Sequence, residues 1–258
     1  MIELNKKESR HKIILRGLEL REHISVEELT VEFGLSEATI RRDLEELEQA
    51  GHIIRVRGGA RILTGLPGIA REFEERNRML MAEKSRIVSE VEKYITDNSI
   101  ISIDGGTTGW LLAKRLKTKK NLTVLSHSLP VIEEFGGAPV RLLASGGLFR
   151  HRNLDFIGAR VLWFYQEISV NIAVVTCDAV KPGAGIFKLS EDSAEVARAM
   201  SGAAEQVFVI SDHSKIGATG VYRCLRPDDV DMLFMDSGVS DENRAALRQS
   251  FSHRIVYC

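Results

Sequence analysis

The chain has 258 residues, 44% hydrophobic and 28% charged, with a formal net charge of −1. That length suits one large or two modest domains, each able to bury a core, and the composition is that of a globular protein. No apolar run is long enough to span a bilayer, the charged start Met1–Lys12 is no signal peptide, and three scattered cysteines (Cys177, Cys224, Cys258) fit neither a disulfide framework nor a zinc site. A cytoplasmic protein without metal or cofactor is expected.

The first predicted helix is Ser9–Glu22, with Ile13, Ile14, Leu18 and His11 facing inward. Lys6, Lys7, Arg10 and Lys12 lie near its start, within reach of phosphates. Ser25–Phe33 is a second short amphipathic helix with Val26, Leu29 and Phe33 inward, and Gly34-Leu35-Ser36 makes a tight turn. Ser36 is placed to cap a third helix, Ser36–Ala50. In that helix Ile40, Leu44 and Leu47 recur at spacings of four and three and form one apolar stripe. Ser36, Glu37, Thr39, Arg41, Arg42 and Glu45 fall off the stripe, free to enter a groove. Gly51 breaks the helix, and a short apolar ribbon carrying Arg55 and Arg57 ends at Gly58-Gly59. Helix, turn, helix, ribbon is the plan of a winged DNA reader. The first 60 residues hold ten Lys/Arg and twelve Asp/Glu, a balance of −2. Positive charge must therefore be concentrated by geometry, and modest non-specific affinity for DNA is expected.

Arg61–Ala70, with Gly65, Pro67 and Gly68, reads as a linker. From Glu83 apolar strands alternate with helices. Predicted strands are Ile100–Ile103, Leu122–Leu125, Val140–Ala144, Val170–Thr176, Val207–Ser211, Met232–Met235 and Arg254–Val256. Predicted helices are Glu83–Tyr94, Thr108–Leu116, Leu129–Phe135, Asp155–Phe164, Glu191–Ala204 and Asp241–Gln249. The alternation predicts an α/β domain with a mostly parallel sheet covered on both faces. The expected division is 1–62 reader, 63–82 linker and 83–258 α/β domain.

Ligands of such sheets sit at the carboxyl ends of strands. There the first strand runs into Asp104-Gly105-Gly106-Thr107-Thr108, whose glycines, hydroxyls and free N–H groups suit a phosphate at a helix N-terminus. His127 and Ser128, Gly146 and Gly147 with Arg150, Asp178, and Lys215 in Asp212-His213-Ser214-Lys215 fall at the same edge. Arg150 and Lys215 are the cations expected to meet an anion.

Two blocks carry a family resemblance. TIRRDLEELEQAGHIIRVRGGA resembles the signature of the DeoR family of bacterial sugar-metabolism regulators, with Arg57 where the family usually has His. Phe73-Glu-Glu-Arg76 resembles the family's inter-domain segment. Asp104 to Thr108, Gly146-Gly147 with Arg150, and Ser214-Lys215 are similar to motifs of its effector domain, and the likeness runs nearly full length. The resemblance implies a sensor with the ribose-5-phosphate isomerase fold, binding a phosphorylated sugar or polyol that releases double-stranded operator DNA. Paired readers for repeated half-sites imply a homo-oligomer, dimer or tetramer. His127, Asn171, Thr176-Cys177-Asp178 and Lys181 depart from the family pattern, so effectors known for other members do not transfer. A competing reading is a sugar-phosphate isomerase with an accessory helix-turn-helix, using Asp104, Asp178 or Asp212 as base and Lys215 on an enediolate. A third is a helical protein-interaction module fused to a sensor.

Overall fold

The structure is a computed structural model that describes residues 2–21, 23–49, 52–56, 58–62, 73, 75–251 and 254–258. It separates into two compact units, Met1–Glu72 and Phe73–Cys258. The predicted linker residues 63–72 lie outside the described residues, as do Arg57, Gly51 and Ala50.

The first unit runs α1 (Ile2–Arg21), β1 (His23–Ser25), α2 (Val26–Phe33), α3 (Glu37–Gln49), β2 (Ile53–Val56) and β3 (Gly59–Ile62). Its core joins Ile14 and Leu18 of α1 to Ile24, Leu29, Ile40, Leu44, Leu47 and Ile53, each such buried side chain contributing about 1.5–3 kcal/mol. Ile13, expected inward, is 48% exposed, because the stripe set by Ile14 and Leu18 leaves position 13 a hundred-degree turn away. Ser25 caps α2 in a reciprocal box: its hydroxyl accepts from the Glu28 N–H at 3.1 Å, and the Glu28 carboxylate accepts from the Ser25 N–H at 2.7 Å. Gly34 ends that helix at φ +62°. Ser36 Oγ then accepts from the Thr39 N–H at 3.3 Å, the expected cap of α3.

The ribbon is three-stranded, in the order β1-β3-β2. β1 was not expected, since three residues between helices are too short to display a period. Its approach explains Gly59: a Cβ there would lie 2.3 Å from the Ile24 carbonyl oxygen and 2.8 Å from Ser25 Cα. The second glycine of Gly-Gly-Ala is a packing requirement.

The second unit is built on a seven-stranded sheet of β4 (Ile100–Ile103), β5 (Thr123–Ser126), β6 (Arg141–Ala144), β9 (Val170–Thr176), β12 (Ala204–Ser211), β14 (Met232–Met235) and β15 (Ile255–Tyr257). The order is β15-β14-β12-β9-β4-β5-β6, and every neighbouring pair is parallel. Along β9 the side chains alternate: Ile172 and Val174 join one core with Ile87, Leu112 and Phe234, while Ala173 and Val175 join the other with Ala197, Leu247 and Phe251. Helices α4 (Met81–Val91) and α5 (Thr107–Leu116) supply the first face, α8 (Glu191–Gly202) and α9 (Asp241–Phe251) the second. Short helices α6 (Leu129–Glu134) and α7 (Ala159–Gln166) complete the set.

Two features differ from expectation. Asp155–Phe164, expected as one helix, begins as β8 (Asp155–Ile157), the partner of β7 (Leu148–Arg150), and becomes α7 only after Gly158. Gly158 sits at φ +88°, which interrupts any helix. A second sheet, β10 (Ala179–Lys181), β11 (Gly185–Lys188) and β13 (Tyr222–Leu225), is antiparallel and was not anticipated. Among the described residues no helix is long and apolar enough to cross a membrane.

Candidate functional site

On the reader, α3 presents Arg41 and Arg42 outward while Asp43, the next residue, is buried. Arg41 pairs with Glu37 one turn earlier at 3.2 Å, a weak, exposed pair that a phosphate would displace at small cost. Arg42 has no hydrogen bond or ion pair among the described residues. Thr39 is half-buried with its hydroxyl 3.0 Å from Ser36 Oγ. On the ribbon, the Arg55 N–H donates to Glu48 at 2.9 Å, and its guanidinium is 3.9 Å from the same carboxylate.

Two cations expected to be available for phosphates are committed elsewhere. Arg10 donates from Nε (2.5 Å) and from its terminal nitrogen (2.9 Å) to the two oxygens of Asp43, and His11 Nε2 lies 3.2 Å from the same group. Lys7 bonds Glu46 at 2.6 Å. Burial pushes the Asp43 carboxyl up, but the hydrogen bonds from Arg10 and His11 outweigh it and hold the acid below its ordinary range. This cluster ties α1 to the inner side of α3.

In the second unit the strand order reverses between β4 and β9, and the pocket lies at that switch point, at the carboxyl ends of the strands. Its volume is about 120 Å³. Of the residues singled out at this edge, Gly106, Thr107 and Thr108 at the start of α5, Asp178 and Lys215 line it. Lys84, Leu80, Cys177 and Asp212 line it as well. Asp212 accepts from the Ser214 N–H at 3.1 Å and so shapes the turn that carries Lys215. Asp178 accepts from the Leu189 N–H at 2.8 Å. Burial pushes the Cys177 thiol up to about 12, leaving it a neutral group.

Asp104 and Gly105 stand behind this cradle rather than in it. The Asp104 carboxylate accepts from the Gly105 N–H (2.7 Å), the Thr176 N–H (3.0 Å) and hydroxyl (2.9 Å), and the Lys188 ammonium (2.7 Å). His127 Nε2 lies 3.3 Å away, and His127 Nδ1 is 3.1 Å from the buried Tyr165 hydroxyl. Burial pushes Asp104 up, and the Lys188 charge with the His127 hydrogen bond overrides it, holding the carboxyl well below its usual range. Burial likewise lowers Lys188, and the Asp104 charge more than restores it. The pair locks the end of β4 to β11 and fixes the glycine loop.

The remaining expected contacts lie off the pocket. Ser128 is buried, its hydroxyl 3.6 Å from where a Gly105 Cβ would stand and without a hydrogen-bond partner among the described residues. A Cβ on Gly147 would meet the Ile157 carbonyl at 2.9 Å, and Gly146 has φ +61°, so both shape a turn. Arg150, expected as an anion contact, is bound on both edges: to Asp155 at 2.9 and 2.7 Å, and to Ser190 and Ser193 at 2.8 and 2.7 Å. Four of its five N–H donors are engaged with the β7–β8 hairpin and the start of α8.

Two lysines escaped the sequence reading. Lys188 sits in an apolar-looking run, Gly185-Ile186-Phe187-Lys188-Leu189. Lys84 falls on the stripe of Ile87, Val88 and Val91, where helical spacing places an inward side chain; a lysine at such a position is itself a signal.

A winged helix-turn-helix joined to a parallel-sheet domain with a cationic pocket at its switch point defines a ligand-responsive transcriptional regulator. The family model for the DeoR-like helix-turn-helix domain matches residues 10–65, and that for the DeoR C terminal sensor domain matches residues 80–237. The chain is 31% identical over 240 residues to the transcriptional repressor AccR of Agrobacterium fabrum, covering 91% of each. It is 27% identical to the glycerol-3-phosphate regulon repressor of Escherichia coli K12, covering 90% of this chain and 92% of that one. Among solved structures, ribose 5-phosphate isomerase A of Methanocaldococcus jannaschii is a distant likeness: 16% identity, 53% of this chain and 55% of that one, TM-score 0.40. The chain belongs to the DeoR family of transcriptional regulators.

Proposed function

We propose that the protein is a cytoplasmic repressor of a carbohydrate-utilisation operon, released from its operator by a small phosphorylated sugar or polyol. The observation that carries the effector is the pocket itself. The free N–H groups at the start of α5, the Thr107 and Thr108 hydroxyls and the Lys215 ammonium converge on one cavity, a constellation that suits a phosphate dianion. At about 120 Å³ the cavity is somewhat smaller than the ~150 Å³ that accommodates a benzene, enough for a phosphate head and a short carbon chain. Arg42 and Arg41 enter the major groove near base edges and phosphates, with Ser36, Glu37 and Thr39 at the helix start and Arg55 and Arg57 on the flanking backbone. A homo-oligomer pairs the readers on repeated half-sites.

Asp178 and Asp212 each accept a backbone N–H bond, and the Cys177 thiol is held neutral. These structural uses support a sensor without turnover. The test is thermal unfolding of the full chain against a panel of sugar and polyol phosphates, since a ligand of the folded state raises the midpoint. A rise with one phosphate, lost in Lys215→Ala and matched by release of operator DNA, is the expected result. A rise with parent sugars alone, or chemical conversion of the added phosphate, would sink the reading.

A further inference from the structure

Residues 75–80 lie between the chain leading from the reader and the first helix of the sensor, and they form one wall of the pocket through Arg76, Met79 and Leu80. The segment is a helical turn, 75–78, in which the Met79 N–H donates to the Glu75 carbonyl at 3.2 Å, followed by Leu80 in the left-handed region at φ +52°. A leucine there is strained and holds that conformation only because its surroundings impose it. Two bonds from Lys84 flank it: the Lys84 N–H donates to the Leu80 carbonyl at 2.9 Å, the first bond of α4, and the ammonium reaches back to the Arg76 carbonyl at 2.5 Å.

Lys84 is 5% exposed. Its ammonium has three donors and one acceptor among the described residues, the Arg76 carbonyl, with no ion pair. A buried cation without a direct ion pair is costly. Burial lowers its pKa, Lys215 and Arg76 add to that, and Asp212 alone opposes it. Two donors of a buried cation thus remain in a pocket whose other walls already suit a phosphate.

We infer that Lys84 couples occupancy of the pocket to the order of residues 76–80, donating at once to the Arg76 carbonyl and to the phosphate of a sugar or polyol phosphate. Without anion, closing the clasp buries an ammonium that no carboxylate pairs with directly and only the Asp212 charge opposes, so the segment is more readily opened. With anion the charge is matched and the clasp is held. By linkage, a ligand that favours the closed clasp is itself bound better when the clasp is closed. The pocket is thereby connected to the stretch of chain that continues toward the DNA reader. This rests on the phosphate reading of the pocket.

The experiment is hydrogen exchange on the full-length protein, at the Met79 and Lys84 amides, with and without inorganic phosphate or glycerol 3-phosphate, alongside thermal unfolding in the same solutions. In the wild type, anion should slow exchange at both amides by about fivefold, the factor of one hydrogen bond, and raise the unfolding midpoint. Lys84→Met should exchange fast at both sites with or without anion. Lys84→Gln, which keeps a neutral donor for the carbonyl, should stay protected and ignore the anion. A midpoint that rises while exchange in the wild type is unchanged or faster overturns the coupling and leaves the phosphate pocket standing. No rise with either anion overturns the pocket reading and the coupling with it.

Discussion

Replacing Lys188 by Met tests whether the charge pair behind the glycine loop holds the sensor together. Lys188 and Asp104 are 2.7 Å apart with side chains 8% and 6% exposed. At an effective dielectric of ~20 their attraction is roughly 6 kcal/mol, most of it offset by the cost of taking both ions out of water. Lys188→Met removes the attraction and leaves the carboxylate buried, a change that costs about 3–5 kcal/mol. Gly105, Thr176 and His127 still donate to that carboxylate, so the expected loss is about 3 kcal/mol at pH 7. With a urea slope of ~2 kcal/mol per molar the midpoint falls by about 1.5 M. The pH dependence has a definite sign. Asp104 is held below its ordinary range, so its contribution is present above about pH 4 and lost as pH falls below it. Lys188 is raised, so its contribution is present below about pH 10.4 and lost as pH rises beyond. The gap between variant and wild type is flat between those limits and narrows in acid. Asp104→Asn added to Lys188→Met should recover much of the loss. A single variant within ~1 kcal/mol of wild type, or a double variant as unstable as the two singles summed, refutes a coupled pair.

Three further outcomes are expected. Arg42→Ala should weaken operator binding and lower the salt slope by about 1, while the unfolding midpoint stays put; an unchanged slope in filter binding would remove Arg42 from the phosphates. Gly59→Ala places a Cβ 2.3 Å from the Ile24 carbonyl and should destabilise the reader by at least 1–3 kcal/mol, seen by calorimetry as a lowered transition of that unit only. Asp236 is fully buried and accepts from the His213 N–H, His213 Nδ1 and the Gly238 N–H. Burial raises its pKa, but His213 and the two backbone bonds lower it further. Asp236→Asn should therefore cost stability above about pH 4 and flatten the loss of stability below it, checked by urea titrations from pH 3 to 8.

The reader was legible because its signals are local: Ser36 before a three-and-four spacing, and glycines at fixed turns. The alternation of apolar strands and helices gave all seven strands of the main sheet and the switch-point loop. What escaped depends on distant partners. β1 exists only because β3 receives it. The β10-β11-β13 sheet joins residues 179 to 225 through antiparallel pairings that no single run displays. Arg150 reads as a free cation until the fold sets Asp155 and two serines around it. Lys7 and Arg10 read as phosphate contacts until α3 turns Glu46 and Asp43 toward them. Lys188 becomes conspicuous only when its run is folded against Asp104, 84 residues earlier.

The anchoring of Asp43 by Arg10 and His11 sets the azimuth of α3. With Ile40, Leu44 and Leu47 on one side and Asp43 keyed to α1, the helix cannot roll about its axis without stranding a buried carboxylate. The outward positions Glu37, Arg41, Arg42 and Glu45 are thereby indexed to the scaffold like letters on a fixed wheel. Their identities are open to exchange without refolding the domain, which makes this reader a chassis for retargeting: a library confined to those four positions samples new operators while the hub that aims them is left untouched.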